Sequence, residues 1–103
     1  MKIRILSLAS RDLLRGKRFY EQRAAGLGDY FIDSLSADIE SLRIFAGIHR
    51  KIRSYHCLLA KRFPYAVYYR VEQGEIKVCR VLDCRQNPIK TERALAEEPN
   101  IKE

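Results

Sequence analysis

Residues 63–69 read FPYAVYY, and residues 81–88 read VLDCRQNP. Both stretches are predicted to belong to strands, and Gly74 in the turn between these strands supplies the positive φ of a tight β-hairpin. Pro64 is tolerated where a strand begins. The second strand is apolar on both faces, which is typical of a central strand. Together the two stretches predict a hairpin within a larger sheet, with Arg85 displayed where the second strand ends.

The rest of the chain adds elements on either side of this hairpin. In chain order the patterns predict a strand over 2–7, helices over about 8–25 and 31–46, strands over about 55–61, 65–72 and 75–84, and a helix over about 89–97. This order is α+β: an N-terminal strand, a helical hairpin, a three-stranded antiparallel meander and a short C-terminal helix.

The first helix has several local signals. Ser7 or Ser10 is predicted to cap it, and Asp12 is predicted to lie in its first turn. Gly16 weakens the helix by about 1 kcal/mol relative to alanine. Four polar residues recur at helical spacing and predict a solvent-facing side: Arg11, Arg15, Arg18 and Gln22.

The charge balance points to an anionic partner. The 103 residues include 20 lysines and arginines against 13 aspartates and glutamates, a formal net charge of +7. Nucleic acid or an acidic protein would suit this excess, and a merely soluble basic protein is the alternative. The length suffices for one core, so we expect a single domain over 1–98 and a frayed tail over 99–103.

Several classes of function find no support in the sequence. Cys57, Cys79 and Cys84 are odd in number, lack metal-ligand spacing and are interpreted as buried, reduced thiols, which fits the cytoplasm. No apolar run reaches the roughly 18 residues of a membrane span, and the first apolar run is too short for a signal peptide. We therefore expect a cytoplasmic protein with no cofactor, no metal and no membrane contact.

Side-chain alternation divides the strand over 65–72 into two faces. The face predicted to pack against the helices consists of Tyr65, Val67, Tyr69 and Val71. The opposite face, which includes Tyr68 and Arg70, is predicted to be open to a ligand, with Tyr68 as the candidate for stacking on a base. A register shift of one residue would exchange the roles of Tyr68 and Tyr69.

A set of cations is predicted to surround this open face and to bind a target or nucleic acid, because guanidinium forks grip phosphate oxygens. The set consists of Lys51, Arg53, Lys61, Arg62, Arg70, Arg80 and Arg85. Solvated basic residues whose stems cover apolar surface are the alternative.

Arg85 is the strongest single candidate, because it follows a strand end and Pro88 breaks the chain soon after. Asp83 is predicted to point to the same side and to orient Arg85 through a salt bridge. A strand-end ion pair worth under about 1 kcal/mol is the alternative. His49 and His56 are the only histidines available as a general base, and structural roles are favoured for both.

Taken in order, these motifs resemble the RelE/ParE family of bacterial toxins over nearly the whole chain. The resemblance rests on the opening strand, on the residues DLL at 12–14, on the start of helix two at 27–31, on FPY at 63–65, and on the closing pattern VLDxRxxP. It implies the α+β fold above and the toxin of a type II toxin–antitoxin pair. It also implies a cognate antitoxin whose flexible tail wraps the toxin.

The resemblance leaves the target open between two branches. RelE-like members cut mRNA on the ribosome; Arg85 matches their closing arginine, and Lys51 and Arg53 loosely match their basic pair. Ala66 stands where these members carry an arginine, and Asp83 where histidine is common. ParE-like members bind DNA gyrase and need no catalytic residues, and the FPY strand favours this branch. A degenerate member that binds an antitoxin without toxicity is a third hypothesis.

Overall fold

The computed structural model describes residues 1–97. Its elements, in chain order, are β1 (Lys2–Ile5), α1 (Ser7–Glu21), α2 (Leu27–Glu40), α3 (Leu42–Phe45), β2 (Lys51–Ile52), β3 (Tyr55–Leu59), β4 (Tyr65–Glu72), β5 (Glu75–Asp83) and α4 (Pro88–Ala96). The predicted tail at 99–103 lies outside the described residues. Within the described part, no helix is long and apolar enough to cross a membrane.

The strands form one five-stranded sheet in the order β1-β5-β4-β3-β2. β1 runs parallel to β5, and the other neighbouring pairs are antiparallel. The predicted α+β order and the internal position of β5 are confirmed. The sequence did not predict β2, because its turn into β3 uses positive φ at Arg53 and Ser54, where no glycine marks it.

The start of α1 differs from the prediction. Leu6 occupies the N-cap position and no side chain caps the helix, so the predicted cap at Ser7 or Ser10 is wrong. Asp12 lies beyond the first turn and is buried. At the other end of α1, the Glu21 carboxylate accepts hydrogen bonds from the backbone N–H groups of Gly26 and Gly28, at 3.1 and 3.0 Å. This contact joins the two long helices.

The main core lies between the helices and one face of the sheet. Tyr65, Val67 and Tyr69 pack there with Phe31, as the alternation of β4 predicted, whereas Val71, predicted on the same face, is exposed. The buried Tyr69 hydroxyl accepts a hydrogen bond from the Gly47 N–H group at 3.0 Å, which satisfies the polar end of the ring.

A second core covers the opposite face of the sheet, which the sequence predicted to be open. Helix α4 lies over this face, with Leu95 packed in a cluster that contains Ala66, Tyr68 and Cys79. Tyr68 is only 7% exposed. The prediction that Tyr68 is available for base stacking is therefore wrong, because α4 packs against this face of the sheet. Cys84 is exposed, contrary to the expectation of three buried thiols.

Gly16 is a close-packing position as well as a weak point of α1. A Cβ atom there would stand 2.5 Å from Phe31 Cζ, and the Phe31 ring is fully buried. We expect Gly16→Ala to lower the free energy of unfolding by about 1–3 kcal/mol through overpacking, despite the higher helix propensity of alanine. Urea unfolding measures this change, with Ser10→Ala on the exposed side of α1 as the control. A variant as stable as the wild type would contradict the packing argument.

Candidate target-binding surface

Arg85 is held in a fixed orientation at the end of β5. The backbone N–H of Cys84 donates to the Pro64 carbonyl at 2.8 Å, which ties this segment to the start of β4. Arg85 Nε donates to Asp83 Oδ1 at 3.0 Å, and Arg85 Nη2 donates to Asp83 Oδ2 at 2.9 Å. The predicted salt bridge is confirmed, and its two-pronged geometry leaves an exposed guanidinium aimed in one direction.

Two aromatic side chains of α1, Phe19 and Tyr20, lie beside this arginine. Arg85 Nη2 also donates to the Tyr20 hydroxyl at 3.3 Å, and its guanidinium carbon lies 5.9 Å from the centre of the Phe19 ring. Phe63 meets Tyr20 edge-on with a centroid distance of 4.7 Å. We call these five residues, Phe19, Tyr20, Phe63, Asp83 and Arg85, the Arg85 surface. The sequence did not place Phe19 or Tyr20 beside Arg85, because α1 approaches β5 only through the tertiary fold.

A small cavity adjoins the Arg85 surface. Its volume is about 70 Å³, and Arg15, Tyr65, Asp83 and Gln86 contribute to its lining. Burial and the nearby Asp83 charge raise the pKa of Tyr65 to about 12, so its hydroxyl stays protonated at neutral pH. Ligand pockets usually measure about 300 Å³ or more, so this cavity admits water but no nucleotide.

The Asp83–Arg85 pair makes stability depend on acid pH. Hydrogen bonds from Arg85 hold the pKa of Asp83 below its ordinary value. The stabilising contribution is therefore fully present above the unfolded-state pKa of about 3.9 and is lost as the pH falls through the folded-state value. It amounts to under about 1 kcal/mol, because Arg85 is 54% exposed.

Urea unfolding of the wild type and Asp83→Asn, at about pH 6 and about pH 2.5, tests this contribution. We expect the wild type to be more stable than Asp83→Asn at the higher pH and the difference to shrink at the lower one as Asp83 becomes protonated. If wild type and Asp83→Asn differed in stability by the same amount at both pH values, the difference would not come from the Asp83 charge.

Lys61 and Arg62 lie at the same end of the sheet as Arg85. The pairing of Leu59 with Ala66 places the β3–β4 turn at this end, where Tyr65 pairs with Asp83. Both cations are exposed. The Lys61 backbone N–H donates to Asp38 Oδ2 at 3.2 Å, which anchors the turn to α2. These two predicted residues therefore extend the positive charge around the Arg85 surface.

Arg80 is largely covered and does not belong to an open binding surface, contrary to the prediction. Its Nε and Nη2 donate to the Asp12 carboxylate at 2.8 and 3.0 Å, and its Nη1 donates to the Ala94 carbonyl at 3.2 Å. The Arg80 side chain is only 11% exposed. It joins α1, β5 and α4, and the bond to Asp12 raises its pKa.

The remaining predicted cations lie toward the other end of the sheet. Lys51 pairs with His56, which in turn pairs with Tyr69, four residues along β4 from Tyr65. Arg53 forms an ion pair with Glu92 at 2.7 Å. The Arg70 guanidinium lies 4.3 Å from the centre of the Tyr55 ring. The structure therefore does not bring Lys51, Arg53 and Arg70 together with Arg85.

Both histidines have structural contacts. His49 Nδ1 shares a hydrogen bond with the Tyr69 hydroxyl, and His56 stacks on the Tyr69 ring at a centroid distance of 5.1 Å. Burial, with a smaller effect of the nearby His56, lowers the pKa of His49. Neither ring faces Arg85, which supports the structural interpretation of both.

Comparison with known proteins identifies both a family and a fold. A family model described as "ParE toxin of type II toxin-antitoxin system, parDE" matches residues 3–88. A solved structure described as "Chromosomal ParDE TA system from P. aeruginosa" aligns with a TM-score of 0.66 at 17% identity, over 79% of this chain and 92% of that chain. This structural likeness shows the fold. No curated protein matches.

Proposed function

Because the chain belongs to the ParE toxin family of type II toxin–antitoxin systems, we propose that it arrests growth by binding and inhibiting DNA gyrase. ParE toxins generally inhibit this enzyme, and a parDE system implies a cognate antitoxin. A gyrase target also places the protein's action in the cytoplasm. The proposal makes this chain a binding protein that needs neither a catalytic set nor a cofactor.

The observation that carries the proposal is the arrangement of the Arg85 surface. Arginine is among the side chains enriched at the energetic centres of protein interfaces, and the buried Tyr20 positions Arg85 from the core side. Arg85 is already fixed by Asp83 and Tyr20, at 2.9 and 3.3 Å, so a partner would immobilise it at little further entropic cost. Phe19 and Phe63 supply apolar area beside it. Such a surface suits recognition of a folded protein.

Ribosome-dependent mRNA cleavage is the weaker candidate. From strand spacing and rise, the backbones of Lys51 and Asp83, the residue that fixes Arg85, stand roughly 19 Å apart, so Lys51 and Arg85 do not converge on one phosphate. Arg53 forms an ion pair with Glu92, and both histidine rings contact Tyr69. The cavity beside Arg85 admits only water. A cleavage mechanism would need these groups to converge on one scissile bond.

The direct test is a supercoiling assay with purified toxin, gyrase, ATP and relaxed plasmid, in the absence of ribosomes. We expect inhibition of supercoiling or trapping of cleaved DNA, and its reversal by the cognate antitoxin. Folded toxin that does neither at a large excess over gyrase would overturn the proposal.

Mapping of mRNA 5′ ends after induction without antitoxin separates the alternatives. Gyrase inhibition predicts growth arrest without new ends inside translated codons. Clustered ends within codons would assign the protein to the mRNA-cleaving branch. Normal growth after induction would instead identify a degenerate member that retains antitoxin binding alone.

A further inference from the structure

Helix α1 carries a row of arginines that are not members of the Arg85 surface. Arg11, Arg15 and Arg18 lie within a sector of about 60° and span about 10 Å along the helix axis. With Leu14 they line an open groove of about 390 Å³. The buried side of α1, which contains Ala9, Asp12, Gly16 and Tyr20, points away from this sector. We call Arg11, Arg15 and Arg18 the α1 arginine face.

The positive charge of this face is uncompensated. The two acids of α1 are engaged elsewhere: Asp12 binds Arg80, and Glu21 binds the N–H groups of Gly26 and Gly28. Within residues 1–97, no salt bridge reaches Arg11, Arg15 or Arg18. Three free guanidinium groups in one row, on a chain of net charge +7, form a concentrated site for a polyanion.

We propose that the α1 arginine face binds the phosphate backbone of double-stranded DNA. Duplex DNA presents one negative charge per about 1.7 Å of helix axis, so a straight row of arginines can meet several phosphates at once. Guanidinium forks match phosphate oxygens in two-pronged geometry. The contact is independent of sequence, because it reads no base edge.

The composition of the groove distinguishes duplex DNA from other polyanions. Single-stranded nucleic acid is held by aromatic rings on which the bases stack, and the groove is lined by three arginines and Leu14 without an aromatic ring. An acidic amphipathic peptide needs a row of apolar pockets, and Leu14 alone supplies apolar surface there. A phosphate backbone requires only the charges.

Salt-dependent binding of a fluorescent 20-base-pair duplex of arbitrary sequence tests the proposal. Each phosphate contact contributes about −0.9 to the slope of log K against log salt, so the face contributes about −2.7. We expect the triple variant Arg11→Gln, Arg15→Gln, Arg18→Gln to reduce the slope by about this amount and to weaken binding at least about tenfold at low salt. Circular dichroism verifies that the variant stays folded.

A matched control removes the same net charge elsewhere. Arg50, Lys90 and Arg93 are exposed and lie outside α1. Their triple glutamine variant should retain most of the slope, and a triple lysine variant of the α1 arginine face should retain it as well. Equal losses of salt slope in the two glutamine variants would mean that binding depends only on net charge, and this result would overturn the proposal. Tighter binding of poly-glutamate or single-stranded RNA than of the duplex would also overturn it.

Discussion

Replacing Asp12 with alanine is expected to lower the free energy of unfolding by about 3–5 kcal/mol. The Asp12 carboxylate accepts hydrogen bonds from Arg80 Nε, Arg80 Nη2 and the Val81 N–H group, at 2.8, 3.0 and 3.0 Å. Both side chains are almost fully covered. The substitution removes the Asp12 acceptor from a largely covered guanidinium and from a buried backbone N–H group, although Arg80 keeps its bond to the Ala94 carbonyl. Urea unfolding of the purified protein measures the loss.

Two further variants isolate the cause. Asp29→Ala removes an acid whose ion pair with Lys17 is exposed, so it should cost under about 1 kcal/mol. The double variant Asp12→Leu with Arg80→Met removes both charges and fills much of their volume, so it should regain most of the stability lost by Asp12→Ala. If Asp12→Ala is no more destabilising than Asp29→Ala, the Asp12–Arg80 pair does not make the predicted contribution to the free energy of unfolding.

The same pair shows what the sequence could not predict. Asp12 and Arg80 are 68 residues apart, and each is of a type that is usually exposed. Nothing in their local patterns indicates that α1 brings them together. The sequence therefore predicted Arg80 as a surface cation, whereas the tertiary fold makes it a structural residue.

The sequence correctly predicted contacts between residues that are close along the chain. Asp83 and Arg85 are two residues apart at a strand end, so strand geometry alone predicted that they point to one side. The faces of β4 followed from its period of two, and Tyr65, Val67 and Tyr69 pack as predicted. These inferences needed only the alternation and the turn at Gly74.

The covering of the second sheet face by α4 was not predictable in the same way. Of the two large apolar side chains of α4, Ile89 is exposed and only Leu95 is buried. The family match ends at residue 88, where α4 begins, so the resemblance does not extend to the body of this helix. Its position depends on distant contacts, such as the bond from the Tyr55 hydroxyl to the Leu95 carbonyl at 3.2 Å.

Replacing Arg85 with alanine is expected to raise the toxin concentration that half-inhibits gyrase supercoiling by about 30-fold, which corresponds to about 2 kcal/mol of binding energy. Arg85 is exposed, so its loss should change the free energy of unfolding by less than about 1 kcal/mol. Arg93→Ala, on the exposed side of α4, is the control and should leave inhibition unchanged. The supercoiling assay and urea unfolding provide the two measurements.

The conservative variant Arg85→Lys separates charge from geometry. A lysine keeps the positive charge but cannot hold both Asp83 oxygens in the planar fork that Arg85 forms at 3.0 and 2.9 Å. If the fixed fork is what gyrase recognises, Arg85→Lys should lose nearly as much inhibition as Arg85→Ala. Full inhibition by Arg85→Lys would mean that charge alone is recognised, and full inhibition by Arg85→Ala would remove this surface from the gyrase contact. If Arg85→Ala instead abolished cleavage of ribosome-bound mRNA, the same arginine would be catalytic and the proposed target wrong.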